Sequence, residues 1–167
     1  YLHLSIRRQR QMCIRDRKKK FEYYGDKFTK IDVWSAGGVV IRKSNNQTEV
    51  LICERFSENL IALPKGKPNE GEYEAATAIR EVREETGINA IIKNKIKDIF
   101  YSFKSPNGII NKKVSFFLME KIDGEISNHD DEFDKVYWEK WDSALNKLSY
   151  QGEKDVLEKA IELAKDC

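Results

Sequence analysis

The chain has 167 residues, of which 40% are hydrophobic and 11% aromatic, which suits one domain with a core of its own and excludes a disordered chain. Lys and Arg number 30 against 28 Asp and Glu, a net charge of +2, so bulk charge offers no attraction to nucleic acid or to an anionic membrane.

Residues 1–17, YLHLSIRRQRQMCIRDR, hold five Arg and one Asp and show no sustained periodicity. They lack the apolar run of about 7–15 residues that a signal peptide needs. The string resembles translated sequencing-adapter read-through and is expected to be non-native. Residues 18–167 then carry a net charge of −2.

Residues 18–31 form a charged, aromatic lead-in, followed by a domain over residues 32–165. Val33 to Arg42 has a β-branched run after Gly37-Gly38, and Asn45-Asn46 marks a turn. Glu49 to Arg55 alternates as a second strand, and Leu60 to Leu63 is a third short apolar piece. Pro64 to Gly71 holds two Pro and two Gly and reads as a loop. Glu72 to Thr86 is the clearest helix, with Gly87 as its stop. One or two strands are expected in Ile88 to Lys104, then a turn at Pro106-Asn107-Gly108. Another strand runs from Lys113 to Ile122, with a turn at Asp123-Gly124. Phe133 to Trp138 is a last strand, and Trp141 to Leu148 and Gly152 to Lys165 are helices. Strands, helix, strands, helix is the order of a mixed α/β layered domain.

No apolar run approaches the ~20 residues of a membrane span. Cys13, Cys53 and Cys167 include no CxxC pair. An odd, scattered set fits a reducing cytosol, so a cytoplasmic location is expected.

The helix carries the chemistry. At ~100° per residue, Glu81, Glu84 and Glu85 share one face at i, i+3 and i+4. Ala75, Ala78, Ile79, Val82 and Thr86 cluster on another, expected to be buried. Two carboxylates ~5.5 Å apart repel by about 3 kcal/mol at an effective dielectric near 20. Three kept together call for a hard cation that prefers oxygen, Mg²⁺ first and Mn²⁺ also. Before the helix, LPKGKPNEGE (residues 63–72) is a Gly-punctuated loop of the kind that brings backbone close to a ligand.

Gly66 to Ile88 resembles the Nudix box, G-x5-E-x7-R-E-U-x-E-E-x-G-U with U a bulky apolar residue. Gly66, Glu72, Arg80, Glu81, Val82, Glu84, Glu85, Gly87 and Ile88 fill its specified positions. The resemblance implies an α/β/α sandwich with a mixed sheet between helices, and metal-dependent hydrolysis of a diphosphate linkage. It implies Glu81, Glu84 and Glu85 as metal ligands, with the backbone carbonyl of Lys65 as a further one. Glu72 and Arg80 would brace loop and helix, or Glu72 would help in catalysis. One more acid, as metal ligand or base, is expected outside the box at Glu132, with Asp130 and Asp131 as competitors.

The LPKGK loop is similar to that of diadenosine polyphosphate hydrolases, as is SPNGIINKKVSFFLM. Some members of that group have His where this chain has Lys67, and a Tyr is set farther from the box than Tyr101. A dinucleoside polyphosphate is the substrate this likeness implies. Lys65, Lys67, Lys112 and Lys113 would pair with its phosphates, and Tyr101, Phe103 or Tyr150 would stack on a base. The alternatives are a nucleoside triphosphate, a 5′-triphosphorylated RNA end, or nucleotide sensing by a binding module without cleavage. The partner expected is thus a small nucleotide, with no membrane, and nucleic acid only as a 5′ end; the number of subunits stays open.

Overall fold

The computed structural model describes residues 30–166. Residues 1–17 and most of the lead-in, with the expectations placed on them, lie outside the described residues.

Among the described residues, seven strands and three α-helices follow one another. The strands are β1 (Val33–Ser44), β2 (Gln47–Arg55), β3 (Leu60–Ala62), β4 (Lys65–Gly66), β5 (Ile88–Ser105), β6 (Gly108–Gly124) and β7 (Lys135–Lys140). The helices are α1 (Glu74–Thr86), between β4 and β5, then α2 (Trp141–Lys147) and α3 (Gln151–Lys165). The sheet runs β3-β2-β1-β6-β5, with β4 paired to β1 and β7 to β2. It is mixed, because β1 and β6 run parallel while the other pairs are antiparallel.

Side chains alternate between the faces of a strand, so adjacent apolar residues feed two cores. Val40, Leu51 and Met119 face α1 and pack with its Ala78 and Val82. Val39, Ile52 and Leu118 face the other way and pack with Val156, Leu157 and Ile161 of α3. Each such buried side chain stabilises the fold by roughly 1.5–3 kcal/mol relative to exposure. The result is the expected α/β/α sandwich.

Two local expectations change, and a third narrows. Of the one or two strands expected in Ile88 to Lys104 the structure has one, with register shifts near Ala90, Asn94 and Lys97. Ile79 is 39% exposed, because the apolar stripe of α1 is narrow and runs through Ala78 and Val82. The Pro64–Gly71 loop begins with a strand piece, as Gly37 pairs with Lys65 and Ala36 with Gly66. Among the described residues no helix is long and apolar enough to cross a membrane.

Candidate functional site

The site forms where β4 meets α1. Helix α1 has no side-chain cap at Tyr73 and ends at Gly87, whose left-handed φ of 75° a glycine adopts without strain. Within it Glu81 and Glu85 are buried at 5% and 1% exposure, while the side chain of Glu84 is 40% exposed. All three stay on the box-loop side of the helix, as the spacing predicts.

Gly66 lies against Glu81. A Cβ there would stand 2.1 Å from Glu81 Cδ and within 2.3 Å of both carboxylate oxygens, closer than any real contact. The backbone N–H of Lys65 donates to Glu85 Oε2 at 2.9 Å. The loop thus touches two of the three carboxylates with backbone alone.

Arg80 is the hub of the constellation. Its Nε and Nη2 donate to the two carboxylate oxygens of Glu72, at 2.6 and 2.9 Å. Its Nη1 donates to Glu81 Oε1 at 2.8 Å and Glu84 Oε2 at 3.1 Å, and Nη2 also reaches the Lys67 carbonyl at 2.7 Å. Glu72 accepts further from the Asn69 N–H and the Thr77 hydroxyl, each at 2.9 Å. Partial burial works against the charge of Glu72, but these bonds outweigh it and lower its pKa to about 2. Arg80 thus links Glu72 and the Lys67 carbonyl of the loop to the carboxylates of the helix.

The acidic cluster is electrostatically loaded. Burial raises the Glu81 carboxyl to about 7, against the pull of Arg80 and with the push of Glu84. Burial, then the charges of Glu132 and Glu81, raise Glu85 well above the carboxylate range. Glu132 is also raised, by desolvation and by Asp130, although Arg55 pairs with its Oε1 at 3.3 Å. Asp130 accepts a bond from the Glu132 N–H at 3.0 Å, and its own N–H donates to the Glu84 carbonyl, so this loop is tied to α1.

A cleft of about 270 Å³ opens here, lined by Lys65, Gly66, Lys67, Glu81 and Glu132. It extends past Ser35, Arg55, Tyr101, Lys112 and Phe133. The sequence expectations thus meet in one place for Lys65, Lys67, Glu81, Tyr101, Lys112 and Glu132. Lys113 goes elsewhere: it follows Lys112 in β6 and so projects from the opposite face, where its ammonium meets Glu74 of α1. Tyr101 has the Lys112 ammonium 5.8 Å from its ring centroid and Phe103 at 6.5 Å. Phe103 and Tyr150 are exposed, and neither lines the cleft.

Three residues escaped the sequence reading. Arg55 donates through Nε to the Glu132 carbonyl at 3.1 Å and lies over the Phe133 ring at 5.0 Å. Ser35 has a fully buried hydroxyl at the cleft with no hydrogen-bond partner among the described residues. Glu153, 1% exposed, pairs with Lys65 Nζ at 3.2 Å and accepts the Leu63 N–H at 2.8 Å. Only Glu153 leaves a sequence signal, an acid in line with the apolar stripe of α3.

By chemistry, Glu81, Glu84, Glu85 and the Lys65 carbonyl suit a hard divalent cation, since every donor is oxygen. Among the described residues no three acidic, His or Cys side chains already converge on one point. The guanidinium of Arg80 lies against Glu81 and Glu84 instead. A cation would favour the ionised forms that burial now disfavours at Glu81 and Glu85. The residues present therefore fit the ion in type and charge.

Comparison with known proteins follows the same line. The NUDIX domain model matches residues 34–160. A Mycobacterium tuberculosis (strain CDC 1551 / Oshkosh) protein that carries the mutator name MutT4 is 34% identical over 135 residues, covering 77% of this chain and 54% of that protein. An 8-oxo-(d)GTP phosphatase of Mycolicibacterium smegmatis is 30% identical over 142 residues, covering 80% of this chain and 42% of that protein. The chain thus spans about half the length of the curated relatives it matches. The crystal structure of a C. elegans Ap4A hydrolase binary complex superposes with a TM-score of 0.66 at 24% identity, covering 81% of this chain and 99% of that one. That likeness concerns the fold. The family model takes in most of the chain, including the whole carboxylate helix and its loop, and the chain belongs to the Nudix hydrolase family.

Proposed function

We propose that the chain hydrolyses a diphosphate linkage of a nucleoside polyphosphate with a divalent metal, Mg²⁺ first and Mn²⁺ as a substitute. The observation that carries this reading is the pair of buried carboxylates Glu81 and Glu85, held against the Lys65–Gly66 backbone, with Glu81 lining the cleft. Buried acids with raised pKa values at one end of a cleft mark a working site more often than a structural one.

Glu81, Glu84, Glu85 and the Lys65 carbonyl would hold the ion. When bound, the ion neutralises phosphate oxygens and lowers the pKa of water for in-line attack. Arg80 and Glu72 keep the helix and loop in register. Glu132 takes the proton of the attacking water, with Arg55 fixing its Oε1. Lys67 and Lys112 meet substrate phosphates, and Tyr101 stacks on a base.

The substrate class we favour is a dinucleoside polyphosphate such as diadenosine tetraphosphate. The support is the run of the cleft from the box loop to Tyr101 and Lys112, which gives distal phosphates and a base a place beyond the acidic cluster. A second reading is a nucleoside triphosphate or its oxidised form, favoured by the M. smegmatis relative named as an 8-oxo-(d)GTP phosphatase. A panel of dinucleoside tetra- to hexaphosphates, dNTPs, 8-oxo-dGTP, ADP-ribose and 5′-triphosphate RNA, read by product chromatography, separates them. The first reading expects kcat/KM for diadenosine tetraphosphate to exceed that for ATP by at least about tenfold, or ~1.4 kcal/mol. A better rate on 8-oxo-dGTP establishes the second.

A further inference from the structure

Lys65 stands between the two layers of the sandwich. Its backbone N–H points to α1 and donates to Glu85 Oε2 at 2.9 Å. Its side chain leaves the other way and ends on Glu153 of α3, at 3.2 Å. The second oxygen of Glu153 accepts the Leu63 N–H at 2.8 Å, two residues earlier. One buried carboxylate therefore grips the box-loop strand at two points. The strand piece is short, only Lys65 and Gly66, and its ladder contacts to β1 are two residue pairs. Something besides the ladder has to fix it.

The third wall is Gly37. A Cβ there would stand 2.3 Å from the Pro64 carbonyl oxygen and 2.5 Å from Lys65 Cβ, so the glycine leaves room for Lys65 to cross the sheet. Burial works against the charge of Lys65, but Glu153 and Glu85 outweigh it and hold the ammonium on. A buried acid paired this way is poor evidence for stability, since apolar residues of like size often serve better. Fixing a geometry is the use that remains.

We propose that Glu153 is a positioning residue for the reaction: by gripping Leu63 and Lys65 from α3 it holds β4 where the Lys65 backbone meets Glu85. The inference rests on the proposed metal site and adds to it a support from the opposite face of the sheet. Outer-shell groups of this kind act through the ligands they orient.

The test uses the full chain, with Mn²⁺ as probe. Three readouts are taken on wild type and Glu153→Gln: hydrogen exchange of the Lys65 amide, the Mn²⁺ dissociation constant by electron paramagnetic resonance, and kcat with KM. Glu153→Gln keeps an acceptor for Leu63 but removes the negative charge that pairs with Lys65. We expect Lys65 exchange to quicken and Mn²⁺ affinity and kcat each to fall about tenfold, with KM within about threefold. Loss of a negative charge alone would also weaken cation binding. The double variant Glu153→Leu/Lys65→Met removes both charges and fills the site with apolar groups. Since loss of the lysine by itself favours a cation, weaker Mn²⁺ binding there reports displacement of β4. A folded double variant with wild-type Mn²⁺ affinity and wild-type protection of the amide at position 65 overturns the proposal. Unfolding of the double variant overturns it too, by assigning Glu153 to core stability. Should wild type bind no Mn²⁺, the metal site fails, while Lys65 exchange in Glu153→Gln still decides whether the tether exists.

Discussion

Replacing Gly66 with Ala adds one methyl group at the most crowded point of the site. The new Cβ would lie 2.1 Å from Glu81 Cδ. Carbon atoms settle at about 3.5–4.0 Å, so the carboxylate or the strand has to move by more than about 1 Å. Glu81 has no easy escape, because it is 5% exposed and its Oε1 is held by Arg80. Overpacking of this size costs about 1–3 kcal/mol of stability. A misplacement near 1 Å at a metal-binding carboxylate costs about 100-fold in rate, or ~2.7 kcal/mol. Gly152→Ala is the control, since its nearest contact would be Ile99 Cδ1 at 3.3 Å, the end of a flexible side chain. The assay is kcat on a nucleoside polyphosphate beside a thermal melt of each variant. Gly66→Ala is expected to stay folded with kcat down about 100-fold, and Gly152→Ala to keep wild-type kcat. Wild-type turnover in Gly66→Ala would refute the claim that the loop backbone sets the position of Glu81.

Other substitutions probe the neighbours. Glu85→Gln keeps the shape and removes a charge that burial disfavours, so the metal-free protein should melt no lower than wild type while kcat falls by roughly 10²–10⁴-fold; wild-type turnover would remove Glu85 from the ligand set. Lys112→Ala should lower kcat/KM for diadenosine tetraphosphate several-fold, about 3–10 times, and more so at low salt, while Lys113→Ala should leave it within about twofold. Equal losses from both would mean that Lys113 reaches the substrate after all. Glu72 has its folded pKa lowered from 4.5 to about 2, so its contribution is complete above pH 4.5 and disappears as the pH falls through 2. Glu72→Gln should cost about 1–2 kcal/mol at pH 7, allowing for solvent screening, and should flatten the acid limb of a stability-versus-pH curve. An unchanged acid limb would mean that Glu72 does not gain its bonds on folding.

Much of this site is legible in the order of the residues alone. The i, i+3, i+4 spacing of Glu81, Glu84 and Glu85 puts three acids on one side of a helix by geometry, and the Gly66 loop precedes it in the chain. What the sequence hides is whatever depends on contacts distant along it. Lys112 and Lys113 look alike as a basic pair, yet strand parity sends one to the cleft and the other to Glu74. The start of β6 at Gly108, five residues before the expected Lys113, makes that parity harder to assign. Glu153 lies 88 positions from Lys65, and no local pattern announces their pairing. Ile79 looks apolar enough to be buried, but a sheet under a single helix covers only the narrow stripe through Ala78 and Val82. Arg55 closes a strand, where a cation ordinarily faces water; its pairing with Glu58 is local, but its contacts with Glu132 and Phe133 come from a loop 77 and 78 positions away.

The central claim is that the acidic face of α1 works through a divalent metal. The most direct measurement is hydrolysis of diadenosine tetraphosphate and of ATP by protein stripped with EDTA, desalted into metal-free buffer, then titrated with Mg²⁺. Turnover of either nucleotide should be absent after stripping and recover fully with Mg²⁺ or Mn²⁺. Undiminished hydrolysis in chelated buffer would contradict it.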